Sequence, residues 1–263
     1  MKKNLFLILA IAFATTMSAQ FYAGLGLGYG FGASKRANGV EYSGTNNSVE
    51  TNIYGSYGQG LNIAPKLGFM FNENIGFELG ASYLIGAKQT ITKSQDRLEE
   101  ASSSGLRLSP QLVLKLENGF YSRFGMIIPV MGQTIITDVD NKYDPTFTGS
   151  YMKKETTMET KGSFSMGFIG AIGYNYALSD NMNLFGELEY IGLSIKSGTA
   201  EFTQYDVDGK DQLVNMDTAQ KEYEFVDEVD NSTTYNKDNP TKVLKQKAPF
   251  SSFGINIGVT FSF

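Results

Sequence analysis

The sequence predicts an all-β fold: an eight-stranded antiparallel up-and-down transmembrane β-barrel. Apolar residues recur at every second position in eight segments, most of them at least ten residues long. Short and long connections between these segments alternate along the chain. A strand with lipid on one side and a polar lumen on the other has this period of two. Abundant Gly, Phe and Tyr with few Pro is also typical of β structure.

The first nineteen residues are typical of a targeting sequence. Met1–Asn4 is short and basic, Leu5–Ala14 is apolar, and Ala19 is a small residue at the expected cleavage point. The apolar run is too short to span a bilayer comfortably as a helix. We therefore expect residues 1–19 to be a secretory signal peptide and residues 20–263 to form the barrel.

The first strand shows the alternation most clearly. Between Phe21 and Phe31 the apolar residues are separated by a series of glycines. The glycine spacing is strictly two, which excludes the GxGxxG pattern of a dinucleotide-binding loop. Glycines on one face of a strand indicate a crowded face instead. The other seven segments are 61–71, 75–86, 106–116, 120–130, 163–176, 184–190 and 252–263.

The connections predict how the barrel is oriented. Tight turns are expected at 72–74, 118–119 and 179–181, and Asn118–Gly119 suggests a type I′ hairpin. The long polar connections are about 34–58, 93–104, 138–160 and 199–248. Membrane barrels have short turns on the periplasmic side and long loops outside. Alternation around Tyr223 and Phe225 suggests that some strands extend above the bilayer.

Which face is apolar does not by itself separate a membrane barrel from a soluble one. The second face carries Gly, Ser, Asn and charged residues, which a soluble barrel would place in water. The signal peptide, the loop asymmetry and the segment length favour a lipid-facing band. Three prolines weaken the strand assignment because each removes one ladder donor; they are Pro65, Pro110 and Pro129.

The C-terminal segment carries a motif. Asn256, Gly258, Phe261 and Phe263 fill a pattern of a polar residue, a glycine and two aromatics. This resembles the terminal signal of bacterial outer-membrane barrels, and the predicted mature chain resembles the eight-stranded OmpA-barrel and OmpX type. The resemblance implies a Gram-negative outer-membrane location, contact with outer-membrane lipid, recognition by the barrel-assembly machinery, and a role for this segment as the closing strand. No peptidoglycan-binding domain follows the last strand, so a cell-wall tether is not implied.

Five charged residues are predicted to point into the lumen: Lys66, Glu78, Arg123 and Glu187 at similar heights, and Glu189 slightly higher. An eight-stranded barrel is about wide enough for side chains to fill it. One interpretation is a salt-bridged plug that closes the lumen. Another is a narrow gated pore in which Arg123 switches between Glu78 and Glu187. A third treats Glu187 and Glu189 as catalytic carboxylates, but nothing near them in the sequence suggests a substrate.

Composition excludes several functions. The chain has no His and no Cys, which removes Ser-His-Asp triads, thiol nucleophiles and most transition-metal sites. The net charge of −5 argues against nucleic acid as a partner. We expect neither an enzyme nor a cofactor.

The most specific function is expected in the long loops. Segment 199–248 is strongly acidic, and Asp206, Asp208 and Asp211 faintly resemble a calcium loop, although their spacing does not fit an EF-hand. The alternative is a solvated acidic loop with an Asp-Gly turn. The sequence thus predicts a structural or interaction protein that binds an unknown extracellular partner through its loops. The alternative is a small porin-like channel for ions or small solutes.

Overall fold

The computed structural model describes residues 20–34, 37–144, 149–230 and 236–263. The predicted signal peptide lies outside these residues. Seventeen strands lie within them, and one short helix spans Thr218–Lys221. Single-turn 3₁₀ segments lie at Thr45–Asn47 and Leu213–Asn215. The strands are β1 (Gln20–Gly32), β2 (Ala37–Ser43), β3 (Val49–Tyr54), β4 (Gly60–Met70), β5 (Ile75–Gly86), β6 (Gln89–Lys93), β7 (Arg97–Lys115), β8 (Phe120–Tyr143), β9 (Met152–Gly162), β10 (Gly167–Ser179), β11 (Met182–Gly192), β12 (Ser194–Val207), β13 (Lys210–Asp211), β14 (Glu222–Val226), β15 (Thr241–Leu244), β16 (Lys247–Pro249) and β17 (Ser252–Ser262).

Eight of these strands close into a barrel. Antiparallel pairing runs β1–β4–β5–β7–β8–β10–β11–β17, and β17 pairs back onto β1 with Tyr22 opposite Ser262 and Gly32 opposite Ser252. The predicted eight-stranded antiparallel barrel is confirmed, with the C-terminal segment as its closing strand. Because the ring is complete, its strands leave no open edge at barrel height.

The outer surface of the barrel is apolar and exposed. Large apolar side chains from every barrel strand point away from the lumen; they include Leu25, Leu67, Leu79, Leu112, Phe124, Ile172, Leu188 and Ile257. A protein in water rarely exposes such a continuous apolar surface. Among the described residues, no helix has the length and apolar character needed to cross a membrane.

One end of the barrel, here called the turn end, carries the three predicted tight turns. The turn before β8 differs in type from the prediction. Gly119 has a positive φ (87°) but Asn118 does not, and the Gly119 amide donates to the Leu116 carbonyl. Type I′ needs positive φ at both central residues. A longer turn that ends in a left-handed glycine therefore replaces the expected Asn-Gly type I′ turn.

The other end, here called the loop end, continues as a sheet. β7 and β8 have 19 and 24 residues, and the 24 residues of β8 measure about 80 Å at about 3.3 Å per residue. Above the barrel the sheet order is β3–β2–β6–β7–β8–β9–β12–β14–β15, named here the extension. Much of the predicted loops 93–104 and 138–160 is therefore strand, since β7, β8 and β9 pair there.

Ion pairs brace the extension. The Arg97 guanidinium donates to both Asp138 carboxylate oxygens at 2.8 and 3.3 Å, and the Lys154 ammonium lies 3.3 Å from the same carboxylate. The hydrogen bond to Asp138 raises the pKa of Arg97 above its ordinary value. These contacts join β7, β8 and β9 above the barrel.

Candidate functional site

The barrel lumen brings together the five charged residues singled out by the sequence. Lys66 lies on β4, Glu78 on β5, Arg123 on β8, and Glu187 and Glu189 on β11. Each is largely buried. The alternation of each strand turns these side chains inward, and the strand register sets them at neighbouring heights. We call them the charge cluster.

Arg123 is the centre of the charge cluster. Its guanidinium Nη1 donates to Glu78 Oε1 at 3.0 Å, and its Nη2 donates to Glu189 Oε2 at 3.0 Å. Its Nε donates to Glu187 Oε2 at 3.1 Å, and Nη2 also contacts Glu187 Oε1. The planar fork of arginine allows this two-point contact with Glu187 while it also reaches two further carboxylates.

Neutral donors complete the hydrogen bonding of two carboxylates. The Tyr22 hydroxyl donates to Glu78 at 2.9 Å, and the Tyr121 hydroxyl donates to Glu187 at 2.7 Å. The Asn256 amide donates to Glu187 at 3.0 Å. A buried ion group persists only when its remaining lone pairs are satisfied, and these side chains provide that. Sequence analysis did not assign the two tyrosines to the cluster.

Lys66 is held by an ion pair and by a ring. Its ammonium lies 3.8 Å from Glu78 and 3.7 Å from the centre of the Phe185 ring. A desolvated cation over an aromatic face is attracted by the ring quadrupole. Lys66 therefore has two partners on different strands, which fix its position in the lumen.

Arg107 is a third buried cation, which the predicted set of five lumen residues did not include. Its Nε donates to Ser82 Oγ at 3.2 Å, and its Nη2 donates to Asn62 Oδ1. With Arg107, the lumen holds three buried cations against the three carboxylates of the cluster. The imbalance of two cations against three carboxylates in the predicted set was the signal that could have pointed to it.

The space left in the cluster is small. A cavity of about 20 Å³ is lined by Lys66, Arg123, Glu187, Glu189 and neighbouring small residues. This is room for about one water molecule. Among the described residues nearby, Arg107 Nη1 and Gln111 Oε1 have no hydrogen-bond partner. The side chains of the cluster therefore leave little free space between them.

An apolar layer lies above the charge cluster, toward the loop end. Its members are buried and in mutual contact: Leu84, Ile127, Ile169, Ile191, Leu193 and Phe250. This face of the strands was predicted to be polar, and the layer was not predicted. The available signal was a change from charged to aliphatic residues along the inward face of β5, β8 and β11.

Two chain segments cover the apolar layer. The hydroxyl of Ser56, which is fully buried, donates to the Ser251 carbonyl at 2.7 Å. The Tyr57 amide donates to the Pro249 carbonyl at 2.9 Å, and the Tyr57 ring lies 5.7 Å from that of Phe250. These bonds fold the segment before β4 against the segment before β17. The lumen thus holds two layers of side chains with different chemistry at different heights.

The residues of the C-terminal motif divide between the two faces of β17. Asn256 and Gly258 face the lumen, whereas Phe261 and Phe263 are exposed outside. A side chain at position 258 would meet the Leu25 carbonyl and the Phe185 ring, so the glycine allows close packing at the closing seam.

The three aspartates of the weak calcium candidate do not converge. Asp206 lies opposite Asp211 in the β12–β13 hairpin, and Asp208 with Gly209 forms its turn, both with positive φ. Asp208 accepts from the Lys153 amide and Asp211 from the Leu213 amide, both at 2.8 Å. Within the described ranges, no group of three or more acidic side chains is placed to hold a metal ion.

Comparison with known proteins gives structural neighbours only. No protein-family model and no curated protein matches the sequence. The chain is similar to the outer membrane protein OprG from Pseudomonas aeruginosa, at 13% identity and a TM-score of 0.44, over 93% of this chain and 96% of that one. It is similar to a major outer membrane protein from Thermus thermophilus, at 12% identity and a TM-score of 0.45, over 94% and 100%. It is also similar to Ail, the attachment invasion locus protein of Yersinia pestis, at 8% identity and a TM-score of 0.38, over 94% and 100%. The barrel assignment rests on the closed ring of strand pairs described above.

Proposed function

We propose that this protein is an outer-membrane β-barrel with a closed lumen, and that it serves as a scaffold that presents the extension at the cell surface to a partner. The observation that carries the proposal is the double closure of the lumen. A charge cluster blocks the barrel at one height and an apolar layer blocks it at another. A channel would need both layers to move apart.

The outer surface supports the membrane location. The exposed apolar side chains lie on all eight barrel strands, and a transmembrane strand needs about 9–11 residues. The barrel strands have at least 11 residues each. The closed ring pairs each barrel strand with a neighbour on both sides, which is the arrangement that a bilayer demands.

The extension supports the presenting role. Within the described residues, its sheet ends on two strands, β3 and β15, that each pair on one side. Open strand edges are a common way to bind an extended segment of another protein. The residues of β3 are mostly exposed, including Val49 and Tyr54. A closed barrel that carries a sheet with open edges above it is better suited to binding a partner than to transporting solutes.

Planar-bilayer conductance of the refolded mature protein tests the closed lumen. Heat-modifiable gel mobility first establishes that the barrel is folded. We expect no steady unitary conductance. Stable conductance that changes in an Arg123→Ala variant would overturn the proposal and support the small porin-like channel, with Arg123 as its gate.

Single cysteines test the orientation, because the chain has no Cys of its own. Val49→Cys lies in the extension, and the matched control Glu73→Cys lies in the turn between β4 and β5. On intact cells a membrane-impermeant maleimide is expected to label only the Val49→Cys variant. The Glu73→Cys variant should react only after the outer membrane is permeabilised. The reverse labelling pattern would contradict the proposed orientation.

A further inference from the structure

The outer wall has a notch where the barrel meets the extension. Strand β10 pairs with β8 from Gly167 opposite Ile127, whereas β9 joins β8 only at Lys161 opposite Gln133. Residues 128–132 of β8 therefore have no ladder partner on that side. Residues 163–166 pass across this seam. The notch beside them has a volume of about 600 Å³, which is within the range of small-molecule sites.

The notch has an apolar floor and a basic rim. Phe164, Met166, Phe168 and Tyr190 form the floor, and the Phe168 and Tyr190 rings lie 5.7 Å apart. All four belong to the exposed outer surface. The charged residues of the rim are Lys196 and Lys247, and none of the described lining residues is acidic.

The two rim lysines face each other. Lys196 lies directly opposite Lys247 in the antiparallel β12–β16 pair, so their side chains leave the same face of the sheet. Like charges at directly opposed positions repel. Asp227, which interacts electrostatically with Lys196, forms its ion pair with Lys245 at 2.9 Å. Both lysines therefore bring positive charge to the same side of the notch.

The hydroxyl groups of the rim are largely engaged in holding the backbone. Ser165 Oγ donates to the Ser163 carbonyl and accepts from the Lys196 amide, each at 3.0 Å. Ser251 Oγ donates to the Leu193 carbonyl at 3.2 Å and accepts from the Leu193 amide at 3.1 Å. These bonds fix the strand ends that carry the lysines. The lysine pair is therefore the main charged recognition element of the notch.

From this geometry we infer that the notch binds an anionic acyl lipid of the surrounding membrane, one whose phosphate headgroup carries a net negative charge. The phosphate lies between Lys196 and Lys247, and an acyl chain lies along the aromatic floor. The inference rests on the proposed membrane location, because it places the notch at the upper rim of the apolar surface, where headgroups lie. It does not depend on whether the lumen conducts.

Native mass spectrometry of the refolded mature protein tests this inference. The probes are dimyristoyl phosphatidylglycerol and dimyristoyl phosphatidylcholine, which share acyl chains and differ in net charge. We expect the wild type to retain one phosphatidylglycerol in preference to phosphatidylcholine. In the double variant Lys196→Gln/Lys247→Gln, phosphatidylglycerol affinity should fall about 30-fold. The control double variant Lys210→Gln/Lys242→Gln makes the same charge change on exposed lysines outside the notch and should bind as the wild type.

A second pair of variants tests the floor. Phe168 and Phe21 are exposed to the same degree, 59% and 58%, but only Phe168 lines the notch. Phe168→Ser should weaken retention of phosphatidylglycerol and Phe21→Ser should not. Every variant must first show heat-modifiable mobility, so loss of the fold is separated from loss of binding. Equal retention of both lipids by the wild type, or unchanged retention by the notch double variant, would overturn the inference, and neither result bears on conductance or surface labelling.

Discussion

Arg123 and Glu187 form a two-point ion pair inside the barrel lumen, with Arg123 Nε donating to Glu187 Oε2 at 3.1 Å. The pair joins β8 to β11, which are separated in the ring by β10. Arg123 also contacts Glu78 on β5, and β5 and β11 lie on opposite sides of the ring. One guanidinium therefore links carboxylates from opposite walls of the barrel, Glu78 from one side and Glu187 with Glu189 from the other.

Replacing Arg123 should destabilise the barrel strongly. Arg123→Met leaves three buried carboxylates facing Lys66 and Arg107, and loss of one partner of a buried pair typically costs about 3–5 kcal/mol. Urea unfolding of the refolded protein, followed by gel mobility, measures the change. The stability of Arg123→Lys should lie between those of Arg123→Met and the wild type, because lysine keeps the positive charge but lacks the planar guanidinium that makes the two-point contact. Equal stability of the Met and Lys variants would show that the ionic contacts contribute little.

The inward glycine Gly173 should not tolerate a side chain. A Cβ there would lie 2.5 Å from the Tyr121 ring and 2.8 Å from Glu187 Cβ. Gly173→Ala should therefore push Tyr121 from its hydrogen bond with Glu187 and cost about 1–3 kcal/mol. The matched control is Gly186→Ala, since no atom lies within 4 Å of its Cβ position. The same urea titration should find it neutral or slightly stabilised. Equal losses of stability in the two variants would contradict the inference that position 173 has no room for a side chain.

The fold followed from local signals, whereas the closure of the lumen did not. Period-two alternation identifies which face of each strand is inward, and the turns set the strand order, so the ring was predictable. Ile127 and Ile191 lie on an inward face that is polar nearer the turn end. They contact Phe250, which lies far along the chain, just before β17, and such a distant contact leaves no periodic signal in the sequence. The positions of Arg107 and Tyr22 in the lumen likewise depend on the register between paired strands, which sequence alone fixes only loosely.

Tyr205 in the extension should ionise at a higher pH than an exposed tyrosine. Burial, followed by its hydrogen bond and proximity to Tyr143, raises the pKa of Tyr205 to about 12. Because the folded pKa lies above the unfolded one, this contribution to stability is complete below about pH 10 and is lost as the pH rises toward 12. The difference in tyrosinate absorbance between the wild type and Tyr205→Phe gives the titration. A midpoint near pH 10 would contradict the burial of this hydroxyl.

The segments before β4 and before β17, which cover the apolar layer, are named here the cap. Ser56 should stabilise the cap but not the barrel below it. Its hydroxyl donates to the Ser251 carbonyl and accepts from the Gly58 amide at 3.2 Å, so Ser56→Ala leaves both groups without that partner in a buried place. The loss of about 1–3 kcal/mol should appear as local opening, because the ring of strand pairs does not pass through this segment.

Hydrogen exchange measures this opening. The amides of Tyr57 and Gly58 should exchange about 5- to 150-fold faster in Ser56→Ala, as a loss of about 1–3 kcal/mol implies, while amides of β4 and β17 keep their protection. Ser43→Ala, an exposed serine at the end of β2, serves as the control and should leave all rates unchanged. Since the charge cluster lies below the cap, the opened variant should still conduct no current. Conductance on opening the cap alone would show that the cluster does not close the lumen by itself.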